Sequence, residues 1–235
     1  PKLNIVYEDE NLLLVDKRPG MVVHADETEK VNTLINHIQA YLYQKREWNP
    51  RWENAFAPAL CNRIDRNTGG IVIAAKNAET LRILNEKIRD HEIEKSYLCI
   101  TVGRPNPPQG RIEGFLLKDE AKKQVSFYRR PVPGGKTAVT LYETLETRGP
   151  LSLVECRLLT GRTHQIRVHM KAIGHPLAGD YLYAPEDCSA DRPLLHSRSL
   201  AFTHPVTQEP MKLTAELPED MKNYAEWKRR EEDEI

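Results

Sequence analysis

The sequence predicts an α+β fold. Short apolar segments that suit strands follow one another directly along the chain, and only three segments carry the three- and four-residue spacing of an amphipathic helix. The strands therefore do not alternate with helices as they would in a regular βαβ array. With 235 residues, 40% of them hydrophobic, the chain can bury one large core or two small ones.

The first elements are two strands and a helix. The segment LNIVYEDENLLLVDKRPG predicts two short strands separated by the polar turn EDEN. The segment VNTLINHIQAYLYQK predicts a helix that buries Leu34 and Ile38 and begins at a cap, Asn32 or Thr33. Residues 44–58 contain two tryptophans and predict a loop.

The middle of the chain begins with GGIVIAAK, which is too apolar to alternate and predicts a strand covered on both faces. A helix capped by Asn77 follows, with Leu81, Leu84 and Ile88 in one stripe. KSYLCITVG predicts another strand. Residues 104–136 are rich in Pro, Gly and Lys and predict an exposed loop.

The last part of the chain returns to strands. KTAVTLYETLE and LSLVECRLLT predict strands on either side of the turn TRGP. THQIRVHMKAIG predicts a helix that stops at Gly174. LHSRSLAFTHP and MKLTAELP predict the closing strands, and EWKRREEDEI predicts a frayed, charged helix end.

Composition limits the classes of function. The 34 basic and 34 acidic residues cancel, so a nucleic acid partner would need a local basic patch. No apolar run approaches the roughly 20 residues that span a bilayer, and no secretory leader opens the chain. The four cysteines are isolated, which favours reduced thiols and a cytoplasmic location.

The segment NRIDRNTGG places one carboxylate, Asp65, between Arg63 and Arg66 and directly before a buried strand. A calcium loop is excluded, because Lys76 stands where a bidentate glutamate is required. An Asp before Thr-Gly usually caps a turn. The flanking arginines and the buried strand favour instead a carboxylate that stays ionised because it is paired or hydrogen-bonded.

The segment LLTGRTHQIRVHMKAIGHP contains no acid, and its Arg167 and Lys171 share a helix face at i, i+4. Such a pattern is commonly a solvated basic face, but Arg162 at the helix start favours an anion site suited to phosphate. A zinc site is excluded, because His164 and His169 are five residues apart with no Glu between them.

Tyr97, in KSYLCITVG, is the third candidate. A tyrosine on a strand usually belongs to the core. Lys95 and Ser96 precede it, which places it near the entrance of the strand, within reach of a cleft.

Three ordered motifs resemble those of the RluA-type pseudouridine synthases. NRIDRNTGGIVIAAKN resembles the signature His-Arg-Leu-Asp-x-x-Thr-Ser-Gly, KSYLCITVG resembles the tyrosine motif, and GRTHQIRVHMKAIGHPLAGDYLY is similar to the third motif nearly residue for residue. The resemblance runs from about residue 3 to about residue 220. Asn62 replaces the usual histidine, which removes a titratable group, and Gly69-Gly70 replaces the usual Ser-Gly, which should loosen a turn.

The resemblance implies the pseudouridine synthase fold, a mixed, mostly antiparallel bent β-sheet flanked by helices with a central active-site cleft. It implies one catalytic domain over residues 1–235, built from two subdomains that share one sheet, with a charged tail at 221–235. Many members carry a small N-terminal RNA-binding domain. Its absence, together with Pro1 in place of Met, indicates a truncated or naturally short form.

By resemblance, the protein isomerises uridine to pseudouridine in structured RNA, with ribosomal RNA favoured over transfer RNA and with no cofactor or metal. The target uridine is flipped out of its helix. Asp65 is the nucleophile, attacking the ribose C1′ or the uracil ring, or it assists proton loss from the ribose. The expected protein is a monomer without membrane contact, whose Lys and Arg line the cleft while the acidic tail EEDEI turns away.

The resemblance also assigns roles around Asp65. Arg167 pairs with Asp65 and keeps it ionised, Tyr97 stacks on the base, and Arg63 fills the space that the flipped base leaves. The remaining predicted substrate contacts are Arg66, Thr68, Arg162, His164 and Lys171, with Ile166 packed beneath the base.

Two other functions stay open on the sequence. A nucleoside or glycoside hydrolase would need a second carboxylate to activate water, for which Asp180 in AGDYLY is the candidate. A catalytically inactive RNA-binding module of the same fold would keep the basic residues and lose the reaction.

Overall fold

The computed structural model describes residues 2–187 and 189–222, and the chain contacts divide it into two compact units. The first unit comprises residues 1–95 and 197–216, and the second comprises 96–196 and 217–235. The predicted helix end EWKRREEDEI lies outside the described residues. Within them no helix is both long and apolar enough to cross a membrane.

The elements of the chain are, in order, β1 (Ile5–Glu8), β2 (Leu12–Lys17), α1 (Leu34–Gln44), β3 (Ala59–Leu60), β4 (Gly69–Ala75), α2 (Ala78–Arg89), β5 (Glu94–Val102), β6 (Gln109–Asp119), β7 (Gln124–Tyr128), β8 (Lys136–Arg148), β9 (Leu151–Leu158), α3 (Gln165–Ala172), β10 (Leu195–Thr203), β11 (Pro210–Thr214) and α4 (Glu219–Lys222). Mostly antiparallel strands with few helices confirm the α+β prediction.

The first unit is built around β4. All seven residues of this strand are buried, as its unbroken apolar sequence predicts. β2 pairs with it on one side and β10 lies on the other, while β1 extends the sheet beyond β2. The hydroxyl of Thr33 caps α1 and the amide of Asn77 caps α2, each accepting a backbone N–H from the first turn.

The second unit orders its strands β5-β9-β8-β6-β7, with every pair antiparallel. Helix α3 packs on this sheet through Ile166 and Met170, which share a buried cluster with Cys99 and Cys156. Gly174 follows the helix with φ +87°, the left-handed stop that the sequence predicts.

The prediction of a loop over residues 104–136 is wrong, because this segment forms the β6–β7 hairpin. Along β6, Ile112, Gly114 and Leu116 are buried and alternate with more exposed residues, which is the pattern of a strand with one covered face. The prolines that suggested a loop stand at 105–108 and 131–133, outside both strands.

Candidate active site

The loop that carries Asp65 is attached to β4 by the side chain of Asn62. The Asn62 amide donates to the carbonyl of Ile71 at 3.2 Å and accepts the N–H of Ile73 at 2.8 Å. The Asn62 side chain therefore forms with β4 the two hydrogen bonds that the backbone of a neighbouring strand would form. Asn62, which departs from the family's histidine, thus has a structural use at this position.

Asp65 opens a tight turn. Its carbonyl accepts the N–H of Thr68 at 3.0 Å, and Thr68 is buried. Gly70 follows with φ +119°, and a Cβ there would lie 2.7 Å from the Cα of Ser197 on β10. Gly69 already belongs to the strand, where a Cβ would lie 3.0 Å from the ring of Pro19. The expected loosening of a turn at this glycine pair is therefore wrong, because position 69 is extended and closely packed.

Lys17 also stabilises the loop that carries Asp65. Its side chain is 2% exposed, and its ammonium group donates to the carbonyls of Arg18, Met21 and Arg66 at 3.0, 2.8 and 2.9 Å. The N–H of Gly20 donates to the Arg66 carbonyl as well, at 2.7 Å. The carbonyl of Arg66, the residue after Asp65, thus accepts two donors. Sequence reasoning missed Lys17, although a lysine at the end of the apolar run NLLLVDK is a visible signal.

The two arginines beside Asp65 differ in their surroundings. Arg66 donates to the hydroxyl of Thr28 at 2.7 Å and lies 3.8 Å from a carboxylate oxygen of Asp26, so it connects the Asp65 loop to that segment. Arg63 is exposed. Burial, together with the positive charge of Arg63, lowers the pKa of His24.

In the second unit, Tyr97 lies on β5 opposite Cys156 of β9. Its half-buried ring packs against the cluster that contains Ile166. Tyr97 and α3 are therefore neighbours in one unit, as expected if Tyr97 and Ile166 both contact the base.

Arg167 is not on a solvated face. Only 4% of it is exposed, and it forms a bidentate ion pair with Asp180, from Nε to Oδ2 at 2.9 Å and from Nη2 to Oδ1 at 2.8 Å. Asp180 is fully buried, and its Oδ1 also accepts the N–H groups of Leu182 and Tyr183 at 3.1 and 3.2 Å. Asp180 therefore has donors on both carboxylate oxygens.

Two aromatic rings complete the surroundings of Arg167. The centres of the Tyr181 and Tyr183 rings lie 5.4 and 5.2 Å from its guanidinium carbon, within the range of cation–π attraction. The Tyr183 hydroxyl in turn accepts the N–H of Val125 at 3.0 Å and lies 2.7 Å from Nδ1 of His164. One turn of the chain, residues 180–183, thus fixes both Arg167 and His164.

The remaining predicted contacts lie around α3. Arg162 is exposed, and its Nε donates to the carbonyl of Thr137 at 2.8 Å. His164 precedes the helix in the left-handed conformation, with φ 54°. Lys171 is exposed, and its ammonium nitrogen lies 6.0 Å from the centre of the Tyr183 ring.

The described units therefore hold two partial sets of candidate residues. The first unit positions Arg63, Asp65, Arg66 and Thr68 on one loop, and the second positions Tyr97, Arg162, His164, Ile166, Arg167 and Lys171 on β5 and α3. The contact between Asp65 and Arg167, the basic cleft and the roles of these residues stay predictions.

Comparison with known proteins gives one family. The sequence profile of the RNA pseudouridylate synthase family matches residues 11–172. That range includes Asp65, Tyr97 and Arg167.

Individual relatives cover most of the chain. It is 37% identical over 220 residues to an uncharacterized RNA pseudouridine synthase, YlyB, of Bacillus subtilis, with 93% of this chain and 70% of the relative covered. It is 37% identical over 232 residues to the ribosomal large subunit pseudouridine synthase D of Zymomonas mobilis, with the same coverage of each chain.

The fold agrees with these sequences. The solved structure of human RNA pseudouridylate synthase domain containing 4 superposes with a TM-score of 0.76 at 24% identity, over 96% of this chain and 93% of the human one.

Proposed function

The chain belongs to the RNA pseudouridylate synthase family of isomerases, and on that premise we propose that it converts specific uridines of structured RNA to pseudouridine with Asp65 as the nucleophile. The observation that carries the proposal is the bracing of the Asp65 loop. Asn62 fixes the loop to β4 and Lys17 holds the following peptide, so the carboxylate is presented from a rigid support.

The reaction is an intramolecular transfer. The bond between N1 and C1′ breaks, the uracil turns, and C5 bonds to C1′; the proton on C5 is lost and N1 gains one. Every atom of the product comes from the substrate and the solvent, and no electron is lost, so we expect no cofactor or metal. Asp65 attacks C1′ or the uracil ring, or assists proton loss from the ribose, and all three routes need an ionised carboxylate.

Arg167 would keep Asp65 ionised and directed. Its Nε and Nη2 are bound to Asp180, which fixes the plane of the guanidinium group. Tyr97 would stack on the uracil above the Ile166 side chain, with which it shares a buried cluster.

The target uridine must leave its helix before Asp65 can act on it. Arg63, which is exposed, would enter the vacated space. Contacts to the flanking RNA would come from Arg66, Thr68, Arg162, His164 and Lys171.

The hydrolase alternative is less well supported. Its candidate for a second carboxylate, Asp180, has both oxygens engaged by Arg167 and two backbone N–H groups, and a general base needs a free oxygen for water. The inactive RNA-binding alternative is weakened by the presence of Asp65, Tyr97 and Arg167 together.

Ribosomal RNA is the favoured substrate, because one similar protein is named for the ribosomal large subunit. We expect a monomer acting in the cytoplasm on folded RNA. Size-exclusion chromatography with light scattering tests whether the protein is a monomer. Site-by-site pseudouridine mapping of ribosomal and transfer RNA from cells with and without the gene tests which RNA is the substrate.

Tritium release decides among the three functions. RNA transcribed with uridine tritiated at C5 loses tritium to water when pseudouridine forms. An isomerase releases tritium and leaves the chain intact, a hydrolase releases free uracil that retains its tritium, and a binding module releases neither. Retention of tritium in ribosomal and transfer RNA alike would refute the proposed activity.

A further inference from the structure

A groove lies within the second unit between strand β7 and helix α3, and we name it the β7–α3 groove. Its volume is about 510 Å³. Its lining includes two cations, Arg129 and Lys171, and the ring of Phe127. None of the described residues that line it is acidic.

The two cations of the groove are not neutralised. Arg129 lies 5.8 Å from the centre of the Phe127 ring and Lys171 lies 6.0 Å from that of Tyr183, and across residues 2–187 and 189–222 neither forms an ion pair with a carboxylate. Both are exposed. In a chain of zero net charge, such unpaired cations beside each other favour an anionic ligand.

Two other cations of the β6–β7 hairpin are paired with carboxylates. Arg111 pairs with Glu113 at 3.1 Å, and Lys118 pairs with Glu120 at 3.3 Å. Arg111 and Lys118, whose charges are paired, are therefore matched controls for Arg129 and Lys171.

The backbone of β7 adds donors. β7 is an edge strand that pairs with β6 alone among the described strands. The N–H of Val125 points away from β6, because it donates to the Tyr183 hydroxyl at 3.0 Å. Residues two apart on a strand point the same way, so the N–H of Phe127 also faces the groove. Backbone N–H groups and the side chains of Arg and Lys are both common donors to phosphate oxygens.

We propose that the β7–α3 groove binds a phosphodiester of the substrate RNA outside the target nucleotide, with the phosphate between Arg129 and Lys171 and an adjoining base against Phe127. The proposal rests on the proposed function for the identity of the polyanion. An acidic peptide would satisfy the cations but offers no planar base for the aromatic ring. RNA is therefore the better match to the whole groove.

The test compares two double variants of the full chain. Unmodified large-subunit ribosomal RNA is transcribed in vitro, and its Kd is measured by filter binding over a series of KCl concentrations. Arg129→Gln with Lys171→Gln should raise the Kd about tenfold and reduce the slope of log Kd against log [KCl] by about 0.7, since the one phosphate bound between them contributes about 0.7. Arg111→Gln with Lys118→Gln should leave both within twofold of the wild type.

A variant that fills the groove distinguishes binding of RNA in the groove from general electrostatic attraction to the protein surface. Ala172→Leu adds volume at an exposed lining position at the end of α3 without changing charge or helix propensity greatly. It should raise the Kd severalfold although both cations of the groove remain. A Kd equal to that of the wild type for this variant, or equal Kd values for the two double variants, would overturn the proposal.

The outcomes also separate this proposal from the proposed function. Poly-glutamate that binds the wild type as tightly as the RNA does, and loses affinity in the groove variant, would assign the groove to acidic protein and overturn the RNA proposal. A wild type that binds RNA through the groove but releases no tritium would refute the isomerase activity and leave the groove proposal standing.

Discussion

Arg167 is held by a single turn of the chain, residues 180–183. Asp180 binds it through two parallel hydrogen bonds, and the Tyr181 and Tyr183 rings lie beside its guanidinium group. A bidentate pair fixes the plane of the guanidinium as well as its position. We therefore propose that Asp180 positions the guanidinium group of Arg167.

Replacing Asp180 with Asn should reduce kcat about 100-fold and leave the KM for RNA within about twofold, because a catalytic group misplaced by about 1 Å loses rate rather than binding. Single-turnover and steady-state tritium release measure the two quantities. Asp187→Asn is the control, since Asp187 caps the same segment through the N–H groups of Gly179 and Ser189 and does not touch Arg167. A purely structural role would lower the thermal midpoint and leave kcat per folded molecule unchanged.

At the scale of elements, the sequence predicts most strands and helices because the spacing of their apolar residues is clear. The unbroken GGIVIAA marks β4, and Thr33 and Asn77 mark helix starts. The β6–β7 hairpin escapes prediction because prolines flank it and its connecting turn is charged, with Glu120, Lys122 and Lys123. The pair between Arg167 and Asp180 escapes because it joins a helix to a turn 13 residues later, and no periodicity relates such positions.

The contact of β4 with β10 depends on Gly70. A methyl group there would overlap the backbone of Ser197, and the φ of +119° is strained for any other residue. Gly70→Ala should therefore lower the free energy of unfolding by about 4 kcal/mol, combining backbone strain with overpacking. Urea denaturation measures the loss.

Gly20→Ala is the matched control for Gly70→Ala. Gly20 has φ +96° but no atom within 4 Å of an added Cβ, so only the backbone strain of about 1 kcal/mol should appear. Equal losses for the two variants would show that the approach of β10 to β4 contributes little.

At the scale of the whole molecule, each unit contains a group with a shifted pKa whose titration affects stability in acid. Burial lowers the pKa of His169 in the second unit to about 4. In the first unit burial alone would raise the pKa of Glu8, but hydrogen bonds from Lys76, Tyr41 and Lys45 lower it to about 2. The contributions of these two groups to stability are therefore lost in different pH ranges.

The stability that neutral His169 contributes is complete above its unfolded pKa of about 6.5 and is lost as the pH falls toward 4, because the unfolded chain takes up the proton first. The loss should be about 3 kcal/mol. His169→Phe should remove this pH dependence, as measured by urea denaturation at intervals between pH 7 and 4. An unchanged slope in the variant would assign the dependence to other groups.

The contribution of ionised Glu8 is present above pH 4.5 and is lost as the pH falls through 2. Glu8→Gln should lower the free energy of unfolding by about 2 kcal/mol at pH 7, the value of a charge-assisted hydrogen bond. It should also reduce the dependence of that free energy on pH below pH 4.5. Glu53→Gln, at an exposed carboxylate of the loop after α1, is the control and should do neither. A Glu8→Gln protein that keeps the full acid slope would contradict the assignment to this network.

The Asp65→Asn variant tests the central claim most directly, through single-turnover tritium release from ribosomal RNA labelled at C5 of uridine. The account predicts that the rate falls by a factor on the order of 10⁴ or more, as for nucleophiles elsewhere, while the Kd for RNA stays within a few fold of the wild type. Tritium release at the wild-type rate by this variant would contradict the account.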